Sequence, residues 1–561
     1  MTEIKWWQRA VFYQIYPRSF ADGNGDGIGD FQGIISKLDH LRDLGIGGIW
    51  LSPHFPSPYI DCGYDISDYE DVAPEYGTLA DFKMFLDEAH ARDIRVILDL
   101  VLNHSSDQHP WFQESRSSRD NPKRDWYIWH DGKNGSAPNN WASIFGGSAW
   151  EYDAVTEQYY YHAFLKEQPD LNWRNPEVKA AMWDAVRFWL DMGVDGFRLD
   201  AVATIYEDLD IPDHTFPLSF DEIPDPNSLE TADYYHLMEY QVKRPGLHAL
   251  LKELRTLIDQ YPGDRILVGE DEDVTFHGSG DDELHLVFNF PLMRLKRLTP
   301  MGIRANQTLR LTDLPDEAWP CNTLNNHDAS RVWTRYGDGQ HDAALARLHA
   351  ALMLTLKGTP FLYYGEEIGM VDLKLTSMDE IRDTAALNLY QRMTQKLGKT
   401  ADEATEAALL ATRDRCRTPM QWNSSPEAGF SPSGSTTWLP IHPNHETGIN
   451  VADQIDDPTS LLSFYRAVIQ LRQATPALNT GDYQVLDAEN TDCLIFLRQR
   501  TEVNQTCLVA LNFSEVNQQI ELDRDEKTAH VLFSTEMRSH TVDTSASINL
   551  SPFEILIAEL A

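Results

Sequence analysis

Acidic side chains follow short apolar runs at several places in this sequence of 561 residues. Asp200 and Glu270 each end a run of apolar and β-branched residues, and Asp328 follows His327 in a similar position. Two carboxyl groups about 5–5.5 Å apart can act as nucleophile and acid/base on a glycosidic bond, with retention of configuration. The residue types and their positions therefore predict this chemistry on a sugar, with a third carboxylate to hold hydroxyl groups.

Each of these acids has a second interpretation, because Asp is also a preferred N-cap residue of helices. For any one residue the two interpretations are equally good. Five clusters after five separate runs are harder to explain by capping alone. These clusters are Asp99 with His104, Asp200, Glu270, His327 with Asp328, and Glu366 with Glu367.

Arg198 lies two residues before Asp200 and therefore on the same face of a strand. A neighbouring guanidinium keeps a nucleophilic carboxylate ionised, whereas an acid needs a pKa raised by burial or by a like charge. Asp271 follows Glu270 directly, and strand alternation predicts that its side chain points away from the site.

Eight short apolar runs, typical of buried strands, must position these side chains. The runs are residues 11–16, 48–51, 95–101, 193–200, 266–270, 284–288, 321–324 and 360–364. Segments of helical period lie between them, at residues 31–44, 80–92, 176–192, 246–261 and 343–357. This alternation predicts an α/β fold, a closed (β/α)8 TIM barrel. An open doubly wound sheet is the alternative, but it would need a glycine-rich phosphate loop that the sequence lacks.

The regular alternation is interrupted twice. Residues 105–175, after the third strand, are rich in Trp, Asn, Gly and Ser, which predicts an inserted loop-rich subdomain B beside the C-terminal ends of the strands. After residue 478 strand-like runs alternate with turns and no helices, which predicts a C-terminal antiparallel β-sandwich domain over 479–561. The catalytic barrel is accordingly expected over 1–104 and 176–478.

The chain is strongly acidic, with 87 Asp and Glu residues against 47 Lys and Arg and a formal net charge of −40. Such a surface repels phosphate backbones and anionic lipids, so we expect no nucleic acid and no membrane partner. The five scattered cysteines favour neither a disulfide framework nor a zinc site. Because the N-terminus lacks the apolar stretch of a signal peptide, we expect a cytoplasmic protein; its oligomeric state stays open.

Four short motifs follow one another along the chain: DLVLNH at 99–104, GFRLD at 196–200, GE at 269–270 and NHD at 326–328. Together they resemble the motif set of the α-amylase superfamily, glycoside hydrolase family 13. The resemblance extends over nearly the whole chain. It implies that Asp200 is the nucleophile, Glu270 the acid/base and Asp328 the transition-state stabiliser.

The same resemblance implies a substrate-binding set. Its members are Asp61, Tyr64, His104, Phe145, Phe164, Arg198, Ala201, His327 and Arg413. The segment QPDLN at 168–172 resembles the oligo-1,6-glucosidase and α-glucosidase subfamily, which acts on one terminal glucose in a blind pocket. The partner implied is a small-molecule α-glucoside.

The expected activity is that of a retaining α-glucosidase on short α-glucosides. Ala201, directly after the nucleophile, favours maltose-type or sucrose-type bonds and an α-1,4 preference, because members that prefer α-1,6 bonds often have Val there. The alternatives are a glucosyltransferase or isomerase of the trehalose synthase or sucrose isomerase type, and an α-1,6-specific oligo-1,6-glucosidase. Residues 203–227 depart from the subfamily pattern where acceptor sites are shaped. A non-catalytic relative is disfavoured because all three acids are present.

A glycine-rich loop over residues 22–30 places oxygen ligands at alternate positions, as hard cations require. The resemblance implies a structural Ca²⁺ site there and no organic cofactor. Its expected ligands are Asp22, Asn24, Asp26, Ile28 and Asp30. The alternative is a turn that caps the helix beginning at Phe31.

Overall fold

The computed structural model describes residues 4–522 and 528–560. The extreme ends of the predicted barrel and C-terminal domain, and residues 523–527, therefore lie outside the described residues.

Eight parallel strands form a nearly closed barrel, which confirms the predicted fold. In chain order the strands are Phe12–Ile15, Gly48–Leu51, Arg95–Val101, Gly196–Asp200, Ile266–Gly269, Leu286–Val287, Cys321–Thr323 and Thr359–Tyr363. The hydrogen-bonded order runs from the seventh strand through the eighth and first to the sixth. Because all eight strands are parallel, their C-terminal ends meet at one mouth of the barrel.

Helices cover the outside of the barrel, and local signals set their ends. Asn175 caps Pro176–Met192 through a hydrogen bond to the backbone N–H of Glu177, and Gly193 ends that helix at a φ of 107°. The other long helices are Phe31–Leu44, Leu79–His90, Leu247–Ile258, Pro300–Asp313, Asp342–Thr355, Thr384–Gln395, Ala401–Ala411 and Leu461–Ala474. Within residues 4–522 and 528–560, no helix combines the length and apolar character needed to cross a membrane.

The predicted insertion contains a three-stranded antiparallel sheet of Trp129–His130, Gln158–Tyr161 and Trp150–Asp153. Residues 201–245, which follow the fourth barrel strand, leave the barrel and pack against this sheet. Leu237 and Met238 share one buried cluster with Trp141, Trp150 and Tyr161 of the insertion. The insertion and this excursion together form a wall beside the barrel mouth.

The C-terminal part is an antiparallel sheet, as predicted. Its six strands, in hydrogen-bonded order, are Asp482–Leu486, Cys493–Arg500, Gln505–Asn512, Ile555–Leu560, Thr528–Ser534 and Thr541–Asp543. A second, two-stranded sheet pairs Gln518–Ile520 with Ile548–Leu550. An open cleft of about 950 Å³ is lined by residues of this domain and of the N-terminal ends of barrel strands, and none of the predicted catalytic carboxylates lines it.

Candidate active site

A cavity of about 580 Å³ opens at the C-terminal ends of the barrel strands. The three predicted catalytic acids line it together with most of the predicted sugar-binding residues. Those residues are Asp200, Glu270, Asp328, Asp61, Tyr64, His104, Phe145, Phe164, Ala201 and Arg413. Arg198 and His327 lie directly behind this lining, each 1% exposed. Chain segments more than 300 residues apart thus meet at one site.

Arg198 connects the two acids at the centre of the site. One guanidinium nitrogen, Nη1, lies 2.7 Å from Oδ1 of Asp200, and the other, Nη2, lies 2.8 Å from Oε2 of Glu270. Nη1 also contacts Oδ1 of the buried Asp99 at 2.5 Å. Because one cation contacts three carboxyl groups, at most part of their combined negative charge is compensated.

This environment gives the two acids different proton affinities. Burial raises the pKa of Glu270 to about 8, against the opposing charge of Arg198. Burial also raises the pKa of Asp200, to about 6, although Arg198 and a hydrogen bond with Glu270 counteract it. Near neutral pH the arrangement therefore favours a protonated Glu270 beside an ionised Asp200.

Asp328 has the opposite electrostatic environment. Burial alone would raise its pKa, but His327, Arg417 and Arg413 outweigh that effect and hold the pKa well below its usual range. Its Oδ1 lies 2.5 Å from Nη2 of Arg417 and 3.4 Å from Nη1 of Arg413. Asp328 is therefore a permanently charged carboxylate that can accept hydrogen bonds from sugar hydroxyl groups.

The far side of the cavity carries a second ion-pair group. Arg413 Nη2 contacts Asp61 Oδ1 at 2.7 Å and Asp383 Oδ1 at 2.8 Å. The Gln168 side-chain amide donates to the other oxygen of Asp61 at 3.0 Å. Asp61 and Arg413 are thereby fixed as a polar pair in the cavity lining that the hydroxyl groups of a sugar can contact.

Aromatic rings complete the floor and the sides. Tyr64 stacks on His327 with ring centroids 5.4 Å apart, and its hydroxyl donates to Asp99 at 3.0 Å. Phe164 packs between His104, at 5.2 Å, and Phe145, at 5.7 Å. Burial lowers the pKa of His104 to about 4 and that of His327 to about 3, so both imidazoles are neutral donors or acceptors near pH 7.

A large part of the cavity lining comes from the excursion after the fourth strand, including Tyr234 and Tyr235. Asp271 belongs to the cavity lining, but its Oδ1 lies 3.5 Å from Nζ of Lys243, which is outside that lining, so the orientation of its side chain stays a prediction. The fifth strand ends at Gly269, and the alternation of strand side chains does not continue through Glu270 and Asp271.

Four functional neighbours were not assigned a role from the sequence: Asp99, Gln168, Asp383 and Arg417. Asp99 and Gln168 belong to the motifs at 99–104 and 168–172, and Arg417 lies four residues after Arg413, but the contacts of all three depend on the fold. Asp383 lies in a segment without any motif and contacts Arg413, 30 residues further on. No local signal could have identified it.

The loop predicted to bind calcium precedes the helix Phe31–Leu44, and Asp30 caps that helix through the backbone N–H of Gly33 at 2.7 Å. Asp22 accepts the backbone N–H of Gly27 at 2.8 Å and the Ser431 hydroxyl at 2.6 Å. The capping alternative therefore holds for Asp30, whether or not a cation binds.

The donor set of this loop fits a hard cation in kind, since every expected ligand offers an oxygen atom. The three loop carboxylates do not all lie within 4.8 Å of one another. In the described part of the chain, Asp338, His341 and Glu515 at the surface are the only three His, Cys, Asp or Glu side chains that do. Calcium binding to the loop stays a prediction.

The profile of the alpha-amylase catalytic domain matches residues 14–481. The chain belongs to the α-amylase family, glycoside hydrolase family 13. Within this family the chain is 40% identical to an oligo-1,6-glucosidase of Parageobacillus thermoglucosidasius, over 100% of this chain and 99% of that one. It is also 40% identical to an alpha-glucosidase of Pediococcus pentosaceus, over 87% and 88% of the two chains.

Solved structures of family members superpose over the full length. The trehalulose synthase MutB of Pseudomonas mesoacidophila MX-45 is 38% identical, with a TM-score of 0.89 and complete coverage of both chains. The isomaltulose synthase of Erwinia rhapontici NX5 is 37% identical, with a TM-score of 0.90 and the same coverage. The predicted family and subfamily resemblance is confirmed, and the chain is a family 13 enzyme of the glucosidase type.

Proposed function

We propose that this family 13 enzyme is a retaining α-glucosidase that hydrolyses the terminal non-reducing glucose of short α-glucosides. The observation that carries the proposal is the placement of Arg198 between Asp200 and Glu270. A nucleophile and an acid/base that share one cation and a hydrogen bond lie close together, as retention requires. The wider gap of an inverting site, with room for a water molecule, is not supported by these contacts.

In the first half-reaction, a carboxylate oxygen of Asp200 attacks the anomeric carbon. As the glycosidic C–O bond breaks, Glu270 transfers its proton to the leaving oxygen, so the alcohol departs neutral and the glucosyl group is held as an ester on Asp200. Asp328 remains charged beside the reacting ring and accepts hydrogen bonds from its hydroxyl groups.

In the second half-reaction, the ionised Glu270 takes a proton from a water molecule as that water attacks the anomeric carbon. The ester bond to Asp200 breaks and the carboxylate is restored next to Arg198. Two inversions give α-glucose. Glu270 recovers its proton and Asp200 recovers its charge, which returns both groups to their starting states.

The fixed pair of Asp61 and Arg413 in the cavity lining supports action on one terminal residue, because these two polar groups can bind the hydroxyl groups of a single glucose. Ala201 lines the aglycone side next to Glu270 and favours α-1,4 or sucrose-type bonds. The similar enzymes include several named oligo-1,6-glucosidase, a name that denotes a different bond. A panel of maltose, sucrose and isomaltose measures the bond preference of this enzyme.

Chemical rescue tests the assigned roles. With α-glucosyl fluoride and azide, Asp200→Ala should form β-glucosyl azide, because azide replaces the missing nucleophile on the opposite face of the ring. Glu270→Ala with an activated aryl α-glucoside and azide should form α-glucosyl azide from the enzyme ester. The reverse pattern of anomers, or no dependence on azide in either variant, would reject these roles.

Transfer to a sugar acceptor is the second candidate. It is favoured by the full-length similarity to trehalulose synthase and isomaltulose synthase structures. The first half-reaction would be identical, and a hydroxyl of the released sugar would replace water in the second. Sucrose distinguishes the two candidates: glucose and fructose in equal amounts indicate hydrolysis, whereas a rearranged disaccharide as main product indicates isomerisation.

A further inference from the structure

Arg392, on the helix Thr384–Gln395, lines the active-site cavity. Its Nη1 donates to the backbone carbonyl of Phe145 at 2.9 Å, and its Nε has no hydrogen-bond partner. Within residues 4–522 and 528–560, no carboxylate oxygen lies within 4.0 Å of this guanidinium. The side chain is therefore a cation that faces the cavity with donors to spare.

The other cations around the cavity are all paired. Arg413 contacts three carboxylates, Arg294 forms an ion pair with Glu272, and Lys243 lies 2.9 Å from Asp273. Arg392 differs from these cations in having no carboxylate partner within 4.0 Å among the described residues, although it lines the same cavity. Its place in the cavity lining suggests that the partner arrives with the substrate.

The position of Arg392 is fixed by its surroundings. A Cβ atom on Gly146 would lie 1.8 Å from its Nη1, so only glycine leaves room for the guanidinium, and Gly146 has a φ of 82°. Burial lowers the pKa of Arg392, as expected for a cation that has lost water without gaining a close carboxylate. A cation held in this way is ready to bind an anion without further ordering.

The carboxylates nearby do not cancel this charge at short range. Glu272 is occupied by Arg294, and Asp271 lies 3.5 Å from Lys243. Asp225 and Asp221 act on Arg392 only through longer-range electrostatics, since neither lies within 4.0 Å of it, and Oδ1 of Asp225 accepts the backbone N–H of Asn227 at 2.9 Å. In the described part of the chain, the guanidinium of Arg392 therefore has no close carboxylate that an anionic ligand would have to displace.

We propose that Arg392 binds an anionic group, a carboxylate or a phosphate, on the aglycone of the substrate. The preferred substrates are then α-glucosides whose leaving group carries a negative charge. This inference rests on the proposed glucosidase function and adds a substrate class to it. Arg392 acts as a specificity-determining residue and takes no part in bond cleavage.

Matched substrate pairs test the proposal. The α-glucoside of glycerate is compared with that of glycerol for the carboxylate, and trehalose 6-phosphate with trehalose for the phosphate. Each pair is measured with the wild type, Arg392→Gln and Lys396→Gln. Lys396 is an exposed basic residue that directly follows the same helix and lies outside the cavity, so its substitution makes the same change in net charge.

For at least one pair, the wild type should have a higher kcat/KM on the anionic substrate than on the neutral one. That pair identifies the bound group as a carboxylate or a phosphate. R392Q should lose roughly 10- to 100-fold on that substrate, the size of one or two lost charge-assisted hydrogen bonds, with the neutral partner changed less than about 3-fold. K396Q should match the wild type. A wild-type preference for the neutral member of both pairs, or an equal loss by R392Q on both members, overturns the proposal. In either case, cleavage of the neutral substrates that depends on Asp200 leaves the glucosidase function intact.

Discussion

The backbone N–H of Ala201 donates a hydrogen bond of 2.8 Å to Oε2 of Glu270. The residue after the proposed nucleophile thus holds the proposed acid/base. Ala201 has a φ of 44°, in the left-handed region, at the turn where the chain leaves the fourth strand. The peptide unit between Asp200 and Ala201 therefore connects the proposed nucleophile to the proposed acid/base, and all three residues line the same cavity.

Replacement of Ala201 by Val should change bond preference at some cost in stability. A β-branched residue is strained at this φ, and its methyl groups would narrow the space beside Glu270. We expect kcat/KM for maltose to fall more than that for isomaltose, with a melting temperature lowered by a few degrees. Ala201→Gly, which relieves the strain, is the control and should keep the wild-type ratio. An unchanged ratio in the Val variant would remove Ala201 as a determinant of linkage.

Activity should depend on pH as a bell. Asp200 must be ionised, so activity rises through a pKa of about 6, and Glu270 must be protonated, so activity falls through a pKa of about 8. The two carboxyl groups interact, and the limbs therefore belong to the pair. A kcat/KM profile from pH 4 to pH 10 measures both limbs. A flat profile across this range is incompatible with the assigned roles.

Asp99 should affect the pH of the acid limb of the activity profile, although it does not contact the substrate. It contacts Arg198 Nη1 at 2.5 Å, and its negative charge raises the pKa of Asp200. In Asp99→Asn this repulsion is lost, and Arg198 interacts with only Asp200 and Glu270 of the three carboxyl groups. The acid limb of the kcat/KM profile should therefore move to lower pH. The alkaline limb, which depends on Glu270, should also move to lower pH. The melting temperature should fall, because a buried ion pair is broken. A purely structural role would reduce activity at every pH and leave both limbs in place.

Calcium should stabilise the protein if the loop over residues 22–30 binds it. A ligand that binds only the folded state raises the melting temperature with its concentration. We expect a higher melting temperature in millimolar Ca²⁺ than in EDTA, and loss of most of this difference in Asp26→Ala. Asp26 is exposed, so its removal should change the melting temperature in EDTA very little. Equal melting temperatures with and without calcium would argue for the capping role alone.

The sequence predicts those parts of the molecule that local patterns encode. Helices Phe31–Leu44 and Pro176–Met192 begin and end where capping residues and glycines indicate, and each of the eight barrel strands lies within or next to a predicted run. The contact of Arg413 with Asp383 and the packing of Leu237 against Trp141 have no periodic signal. They depend on tertiary packing between loops.

The anomer first released from an α-glucoside tests the central claim most directly. Proton NMR of the hydrolysis of an aryl α-glucoside, recorded within the first minutes, separates α-glucose from β-glucose before mutarotation mixes them, and all of the glucose comes from the cleaved residue. The placement of Arg198 between Asp200 and Glu270 predicts that this glucose appears first as the α anomer. Initial release of β-glucose would show a single inversion and would contradict the account.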